Sequence, residues 1–206
     1  MSEHSHFYQP SQGHGLKHDP FNALVAPRPI GWISTRSLTG ILNIAPYSFF
    51  NAFNYHPPII GFASIGYKDT VKNIQETGEF CWNLVSASLV DAMNQTSAAL
   101  PSDESEFEFA GLKTRKSKII NVPNVAASPS VLECRKSQII QLTGANGKLV
   151  DTWMVLGEVV GVHIDTAFIQ DGVYNTAAAK PILRGGGAGD YFNIDSAQRF
   201  TINRPQ

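Results

Sequence analysis

The sequence has 206 residues, of which 43% are hydrophobic and 16% are charged, and its formal net charge is −1 at pH 7. This apolar content is too high, and the net charge too small, for a disordered chain. A chain of this length can bury roughly 70% of its unfolded surface around one core. The near balance of 16 basic and 17 acidic residues predicts no general attraction to nucleic acid or to an anionic membrane.

The cysteines and the N-terminus indicate the cellular compartment. Cys81 and Cys134 lie in apolar segments without disulfide or zinc-site spacing, so we expect buried, reduced thiols. Residues 1–20 are polar and lack the pattern of a signal peptide, and no segment is long and apolar enough to span a membrane. The sequence therefore predicts a cytoplasmic protein with an N-terminal arm over residues 1–20. We expect the three histidines of its first 15 residues, His4, His6 and His14, to be solvated rather than metal-bound.

The first half of the chain predicts strands around one clear helix. Strands are expected over 29–35, 41–45 and 59–65, and the aromatic run 46–54 lies between the last two. Residues 68–78 predict a helix, with Asp69 as N-cap and Gly78 at the C-terminus. A further strand over 79–85 and a second helix over 88–98 follow.

The second half predicts charged loops and a long hairpin. The acidic run 103–108 and the basic run 113–118 are typical of solvated loops. Asn146-Gly147 joins two β-patterned stretches, 130–142 and 148–164, as in a hairpin. A glycine cluster over 185–189 follows Arg184. Short strands dominate, so we predict a mainly β chain that forms a closed or partly closed antiparallel barrel with a few helices outside it.

Several motifs of catalytic sites are absent from the sequence. It contains no dinucleotide-binding glycine motif, no Walker loop, no nucleophile elbow and no zinc-protease motif. Beyond the N-terminal arm the only histidines are His56 and His163, and His163 lies in an apolar run where we expect a hydrogen-bonded structural role. We therefore predict neither a metal site nor a serine triad.

Two segments are candidates for ligand binding. Ser64, Lys68 and Thr70 cluster at the start of the predicted helix, where free N–H groups and a positive charge favour a phosphate monoester; the alternative is simple helix capping. In Asn43–Asn51, Pro46 removes a backbone donor and is expected to interrupt strand pairing, which frees backbone groups for a flat heterocycle. The alternative is that the aromatic residues of this segment fill the barrel interior.

An ordered series of motifs resembles the flavin reductase-like family of FMN-binding split barrels. The motifs span about residues 21–191, and their succession is more specific than any one of them: RPIGWIST (28–35), NIAPYSFFN (43–51), Pro57-Pro58, KDTVKNI (68–74), EFCWNLV (79–85), SEFEFAGL (105–112), LEC (132–134), PILRGG (181–186) and Tyr191.

The resemblance implies a split β-barrel that is antiparallel and Greek-key-like, with peripheral helices. It implies an arm over 1–20, a barrel domain over 21–192 and a tail over 193–206, in a homodimer that binds FMN near the subunit interface. It assigns Asn43, Ala45, Ser48 and Phe49 to the flavin ring, Ser64, Lys68 and Thr70 to the phosphate, and Arg184 to a positive contact with the flavin. Glu106 departs from the family, in which many members carry lysine.

The resemblance also implies a reaction, hydride transfer from NADH or NADPH to flavin N5. The cofactor carries this chemistry, so no catalytic side chain is obligatory. Reduced FMN would then serve a partner oxygenase or another electron acceptor. Two alternatives remain open: an FMN-containing electron-transfer protein without nicotinamide-dependent activity, and a non-enzymatic barrel that binds haem or a pyridoxal-type phosphate.

Overall fold

The computed structural model describes residues 4–205, so residues 1–3 of the predicted arm and residue 206 of the predicted tail lie outside it. The α-helices are α1 (Phe21–Leu24), α2 (Asp69–Thr77), α3 (Val90–Gln95) and α4 (Glu106–Phe109). The strands are β1 (Arg28–Pro29), β2 (Gly31–Arg36), β3 (Leu42–Tyr47), β4 (Phe50–Asn54), β5 (Ile59–Ile65), β6 (Glu79–Asn83), β7 (Thr114–Arg115), β8 (Asn124–Val125), β9 (Ser130–Thr143), β10 (Leu149–Ile164), β11 (Ile169–Gln170), β12 (Val173–Tyr174), β13 (Ile182–Arg184) and β14 (Tyr191–Asn193).

One antiparallel sheet of seven strands organises the fold. Its strand order is β3-β2-β6-β9-β10-β5-β4, which leaves β3 and β4 at the two edges. A smaller antiparallel sheet, β1-β13-β14, joins the N-terminal part of the chain to the C-terminal part. The prediction of a mainly antiparallel β chain is confirmed.

The hairpin of β9 and β10 gives the sheet its curl. Residues 144–148 connect the two strands, as the Asn146-Gly147 pair predicts, and the register shifts at three places along the pairing. Such irregularities bend a strand and increase its twist. Gly157 allows the close approach needed there, because a Cβ at this position would lie 2.4 Å from the Phe80 ring.

Helix α2 forms where the sequence predicts it, with a different first residue. The N-cap is Lys68, whose side chain makes no capping bond, and Asp69 is the first helical residue instead of the predicted cap. At the other end Gly78 adopts a left-handed conformation with φ of 75°, as predicted, and its N–H donates to Ile74 O. Val71 and Ile74 are fully buried against the sheet.

Strand β2 of the main sheet is buried on both faces. Trp32 and Ile33 are neighbours on β2 and are both fully buried, but they belong to different hydrophobic clusters. Successive side chains of a strand point to opposite faces, so β2 supplies both layers of the core. In the aromatic run, Tyr47 packs on Phe62 with ring centroids 4.5 Å apart, whereas Phe53 is 55% exposed. The aromatic residues therefore fill the interior only in part.

The predicted second helix is shorter than expected. A 3-10 turn over Ala87–Leu89 precedes α3, and α3 ends at Gln95, three residues before the predicted end. The hydroxyl of Thr96 donates to Met93 O and accepts from Trp32 Nε1, at 2.7 Å and 2.9 Å. This buried contact fixes the end of the helix and directs the following residues away from it.

The cysteines are free and buried, as predicted. Burial raises the pKa of Cys81 to about 12 and that of Cys134 well above its ordinary value, so neither is a reactive thiolate near neutral pH. Within residues 4–205 no group of three or more potential metal-ligating side chains comes together. None of the helices in that range has the length and apolar character needed to cross a membrane.

His163 pairs with a buried carboxylate, in agreement with the predicted structural role. Its Nε2 lies 2.5 Å from Oε1 of Glu133, which is fully buried. The same carboxylate accepts the backbone N–H groups of residues 118–120. Burial acts to raise the pKa of Glu133, but these hydrogen bonds outweigh burial and hold the pKa below its usual value.

We expect the contribution of Glu133 to stability to depend on pH. Since the pKa of Glu133 is lower in the folded state, the folded state binds fewer protons than the unfolded state between the two pKa values. Stability therefore rises with pH between the lowered pKa and the ordinary pKa of a glutamate. The advantage of wild type over Glu133→Gln in free energy of unfolding should be full above about pH 4.5 and shrink as the pH falls through the lowered pKa. Urea denaturation between pH 3 and 7 measures this, with the exposed Glu158→Gln as control. An advantage that does not change with pH would contradict it.

Candidate functional site

A cavity of about 500 Å³ lies at the outer edge of β3, a volume in the range of small-molecule sites. Its walls come from β3, the start of α2, the segment after α3 and the start of α4. Four of the predicted binding residues line it: Asn43, Ala45, Lys68 and Thr70. Other cavities of similar size near residues 173–199 contain none of the predicted residues.

Backbone groups are free at this cavity because β3 is an edge strand. Ile44 N–H points away from β2 and donates to Glu106 Oε2 at 3.2 Å. Backbone groups two residues apart on a strand point to the same side, so the backbone nitrogen of residue 46 also faces away from β2. The N–H that Pro46 lacks is therefore one that would have pointed to the outer edge and not to β2. Pro46 remains paired opposite Trp32. The predicted interruption of strand pairing at Pro46 is therefore wrong, and the position of β3 in the sheet explains its free groups.

The Asn43 side chain is the centre of a buried hydrogen-bond network. Its Oδ1 accepts from the hydroxyls of Thr70, at 2.8 Å, and Thr35, at 3.1 Å. Its Nδ2 lies 3.0 Å from both carboxylate oxygens of Glu106. Asn73 Nδ2 donates in turn to Thr35 Oγ1. All five side chains are at least nine-tenths buried, so the network fixes the amide orientation and ties α2 and α4 to the sheet.

Glu106 differs from the prediction of a solvated acidic loop. Residues 106–109 form α4, and the Glu106 side chain turns inward and lines the cavity. Burial raises the pKa of Glu106, and hydrogen bonds from Ile44 N–H and the Asn43 amide offset this only in part. The nearby negative charge of Asp69 also raises it. Five of the six residues of the acidic run are polar, which is why the sequence predicts a surface loop. Phe107, however, packs in the core, and the adjacent Glu106 is buried together with it.

The start of α2 contributes the positive side of the cavity. The first N–H groups of a helix lack intrahelical partners and carry partial positive charge. Lys68 adds a full charge there and is exposed. The hydroxyls of the other two predicted phosphate-side residues are already used within the protein, since Thr70 donates to Asn43 and Ser64 donates to Gly66 O at 2.8 Å. Ser64 is fully buried.

A buried tyrosine hydroxyl beside these residues has no hydrogen-bond partner. Tyr47 is 7% exposed and lines the cavity, and its Oη makes no hydrogen bond to the part of the chain described. Burial raises the pKa of Tyr47, and the nearby hydroxyls of Thr70 and Ser64 offset part of this shift without reaching hydrogen-bond geometry. An unpaired donor of this kind favours an acceptor from outside the chain.

Phe49 and Arg184, two of the remaining predicted residues, lie near Arg28 and outside the cavity at β3. Arg28 lies opposite Arg184 in the pairing of β1 with β13, and its guanidinium is 5.7 Å from the Phe49 ring centre. The guanidinium of Arg184 donates to the carbonyls of Asp190 and Ala188, which anchors the glycine turn. Ser48 and Phe49 are partly buried and do not line the cavity at β3.

Sequence reasoning missed one wall of the cavity. Residues 96–100 and Ser102 line it, held in place by the Trp32–Thr96 contact and by Ser102 Oγ, which donates to Asp69 at 3.0 Å. These residues, half of them hydroxyl-bearing and half apolar, have no motif of their own. The one available signal was the end of α3, which the sequence misplaced.

Comparison with known proteins shows the family to which the chain belongs. A sequence model described as the flavin reductase like domain matches residues 24–182. The chain belongs to this family. An uncharacterized protein of Halalkalibacterium halodurans is 38% identical over 188 residues, which cover 87% of this chain and 89% of the relative.

Solved structures agree with the family and with the fold. Nitrilotriacetate monooxygenase component B from Bacillus cereus superposes with a TM-score of 0.84 and 31% identity, covering 95% of this chain and 98% of that one. A protein with a split barrel domain from Shewanella frigidimarina has a TM-score of 0.78 and 28% identity, covering 88% and 89%. The predicted split-barrel fold is confirmed, and the family supports a flavin-related oxidoreductase function.

The residues of the cavity fit a flavin mononucleotide. The cavity offers a free strand edge beside Ala45 for a flat ring with polar margins, and the start of α2 with Lys68 for a phosphate. The unpaired Tyr47 hydroxyl adds a donor between the two. Residues 43–47 and 68–70 would therefore hold the group.

The network around Asn43 predicts a large effect of truncation. Asn43→Ala leaves the Glu106 carboxylate and two threonine hydroxyls without their partner, so the free energy of unfolding should fall by about 1–3 kcal/mol. Urea denaturation measures the loss. The exposed Asn94→Ala on α3 is the matched control and should change stability by less than about 0.5 kcal/mol. Equal effects of the two substitutions would show that the network does not stabilise the fold.

Proposed function

We propose that the protein is an FMN-binding NAD(P)H:flavin oxidoreductase, that is, a flavin reductase. The observation that carries the proposal is the cavity in which a free sheet edge meets the start of α2 and Lys68. A flat heterocycle with donor and acceptor groups suits the edge, and a phosphate monoester suits the helix start. Membership of the flavin reductase-like family supports the same cofactor.

In this proposal the protein binds and orients the cofactor. FMN, when bound, supplies the capacity to accept a hydride from NADH or NADPH at N5. The backbone of β3 fixes one margin of the ring, and the Asn43 network keeps that strand rigid. Lys68 and the α2 N–H groups hold the phosphate. No acid or base has to move a proton for hydride transfer, in keeping with a cavity that contains no histidine.

Reduced flavin then passes its electrons to a second protein. The Bacillus cereus relative is described as a component of a monooxygenase, which supports a partner oxygenase as one acceptor. Anaerobic mixing of the FMN-loaded protein with NADH and with NADPH, followed by flavin absorbance, tests the function. Bleaching by either nicotinamide supports a reductase. Resistance to both at saturating concentrations would overturn it in favour of the FMN electron carrier.

The phosphate side of the cavity predicts a preference for FMN over riboflavin. Lys68→Ala removes a charge-assisted contact with the phosphate, so it should weaken FMN binding by about 1–3 kcal/mol and leave riboflavin binding nearly unchanged. Fluorescence titration with both flavins measures this. Lys72→Ala, on the exposed side of α2, is the control and should alter neither affinity. Equal affinities of the wild type for FMN and riboflavin would refute the phosphate assignment.

The exposed edge of the sheet supports a homodimer. Four of the five residues of the edge strand β4 are exposed, and among them is Phe53; Tyr55, just beyond the strand, is 80% exposed. Unpaired edges with apolar side chains favour association with another chain. We expect sedimentation at micromolar concentration to give a species of twice 22.5 kDa. A single monomeric species would contradict the dimer.

A further inference from the structure

Glu106 places a carboxylate in the cavity without a cation to neutralise it. The side chain is 8% exposed and lines the cavity together with Asn43 and Ala45. Both of its oxygens accept hydrogen bonds, but the donors are the neutral Asn43 amide and the Ile44 N–H. The negative charge is therefore solvated by dipoles and not cancelled by an opposite charge.

The surrounding charges do not change this conclusion. Across residues 4–205 the one ion pair within 4.0 Å joins His163 and Glu133, so Lys68 does not pair with Glu106 although both line the cavity. Asp69 lies on the same cavity and adds a second negative charge. The β3 side of the cavity thus carries the negative charge of Glu106, whereas the start of α2 carries both the positive charge of Lys68 and the negative charge of Asp69.

A fixed negative charge discriminates between two ligands of the same shape. Oxidised and reduced flavin have nearly the same outline, but the reduced ring carries more negative charge. Charges in a cavity that excludes water interact more strongly than they do in bulk water. A carboxylate beside the ring therefore disfavours the reduced form relative to the oxidised form.

We propose that Glu106 is a specificity-determining residue that lowers the affinity of the cavity for reduced flavin relative to oxidised flavin. This inference rests on the proposed function, because it requires the flavin ring to lie along β3. The consequence is a bound flavin that is harder to reduce than it would be without the Glu106 charge, and that gives up its electrons more readily.

The test compares wild type, Glu106→Gln and Glu108→Gln. Glutamine keeps the size of the side chain and an oxygen that can accept from Asn43 or Ile44 N–H. Glu108 is an exposed residue on the same short helix and serves as the control. The dissociation constant of oxidised FMN is measured by fluorescence titration, and the midpoint potential of bound FMN by anaerobic titration against a reference dye.

We expect Glu106→Gln to lower the ratio of the dissociation constants, reduced over oxidised, by about tenfold. For a two-electron couple this corresponds to a rise in midpoint potential of about 30 mV. Glu108→Gln should leave the potential unchanged. In a double variant, Asn43→Asp with Glu106→Gln, the carboxylate stands at position 43 and the amide at position 106, so the hydrogen-bonded pair is kept with its groups exchanged. This variant should restore the wild-type ratio.

Two results would overturn the inference while the proposed function stands. One is an unchanged potential in Glu106→Gln that still binds FMN. The other is a fall in the midpoint potential in Glu106→Gln, which would mean that the carboxylate favours the reduced form. Failure of wild type to bind FMN at all would instead overturn the proposed function.

Discussion

The outer edge of β3 imposes the constraint on which the cavity depends. A strand at the edge of a sheet has backbone groups that no neighbouring strand can satisfy. Here α4 meets part of this need, because the Glu106 carboxylate accepts Ile44 N–H and, through the Asn43 amide, joins β3 to Thr35 and Thr70. The rest of the edge stays free and forms a wall of the cavity. The unpaired edge of β3 thus both anchors α4 to the sheet and provides the free backbone groups of the cavity.

The edge strand β3 is held in place by β2, the neighbouring strand, which is buried on both faces. Trp32 and Ile33 supply opposite layers of the core from adjacent positions on β2, and β2 pairs directly with β3. Trp32 also donates to Thr96, so the same side chain that fills one core layer positions the segment forming the opposite wall. The segment after α3 can therefore form a wall of the cavity without a secondary-structure element of its own, because the buried Trp32 holds its first residue in place.

The charges of the cavity are divided between its ends. Lys68 and the free N–H groups at the start of α2 favour an anionic group there, although Asp69 lies next to Lys68, whereas the Glu106 carboxylate opposes negative charge on the β3 side. A ligand with a phosphate at one end and a neutral ring at the other satisfies both. A buried carboxylate with only neutral donors is costly to maintain, and here three neutral N–H···O contacts to Asn43 and Ile44 compensate for the lost hydration.

The sequence by itself determined the strands β2, β3, β5 and β6, the β9–β10 hairpin, the α2 helix with its Gly78 terminus and the family, because these follow from local periodicity, turn residues and the order of motifs. It also named Asn43, Ala45, Lys68 and Thr70, which the fold brings to one cavity. Only the tertiary structure decided that the Ser64 and Thr70 hydroxyls are used internally, that Pro46 lies on a free edge and that Glu106 is buried. The Thr70 and Glu106 side chains find their partner Asn43 at separations of 27 and 63 residues, and local sequence patterns carry no information about such contacts. Even Ser64, which donates to Gly66 only two residues on, does so because of a backbone geometry that the chain acquires on folding.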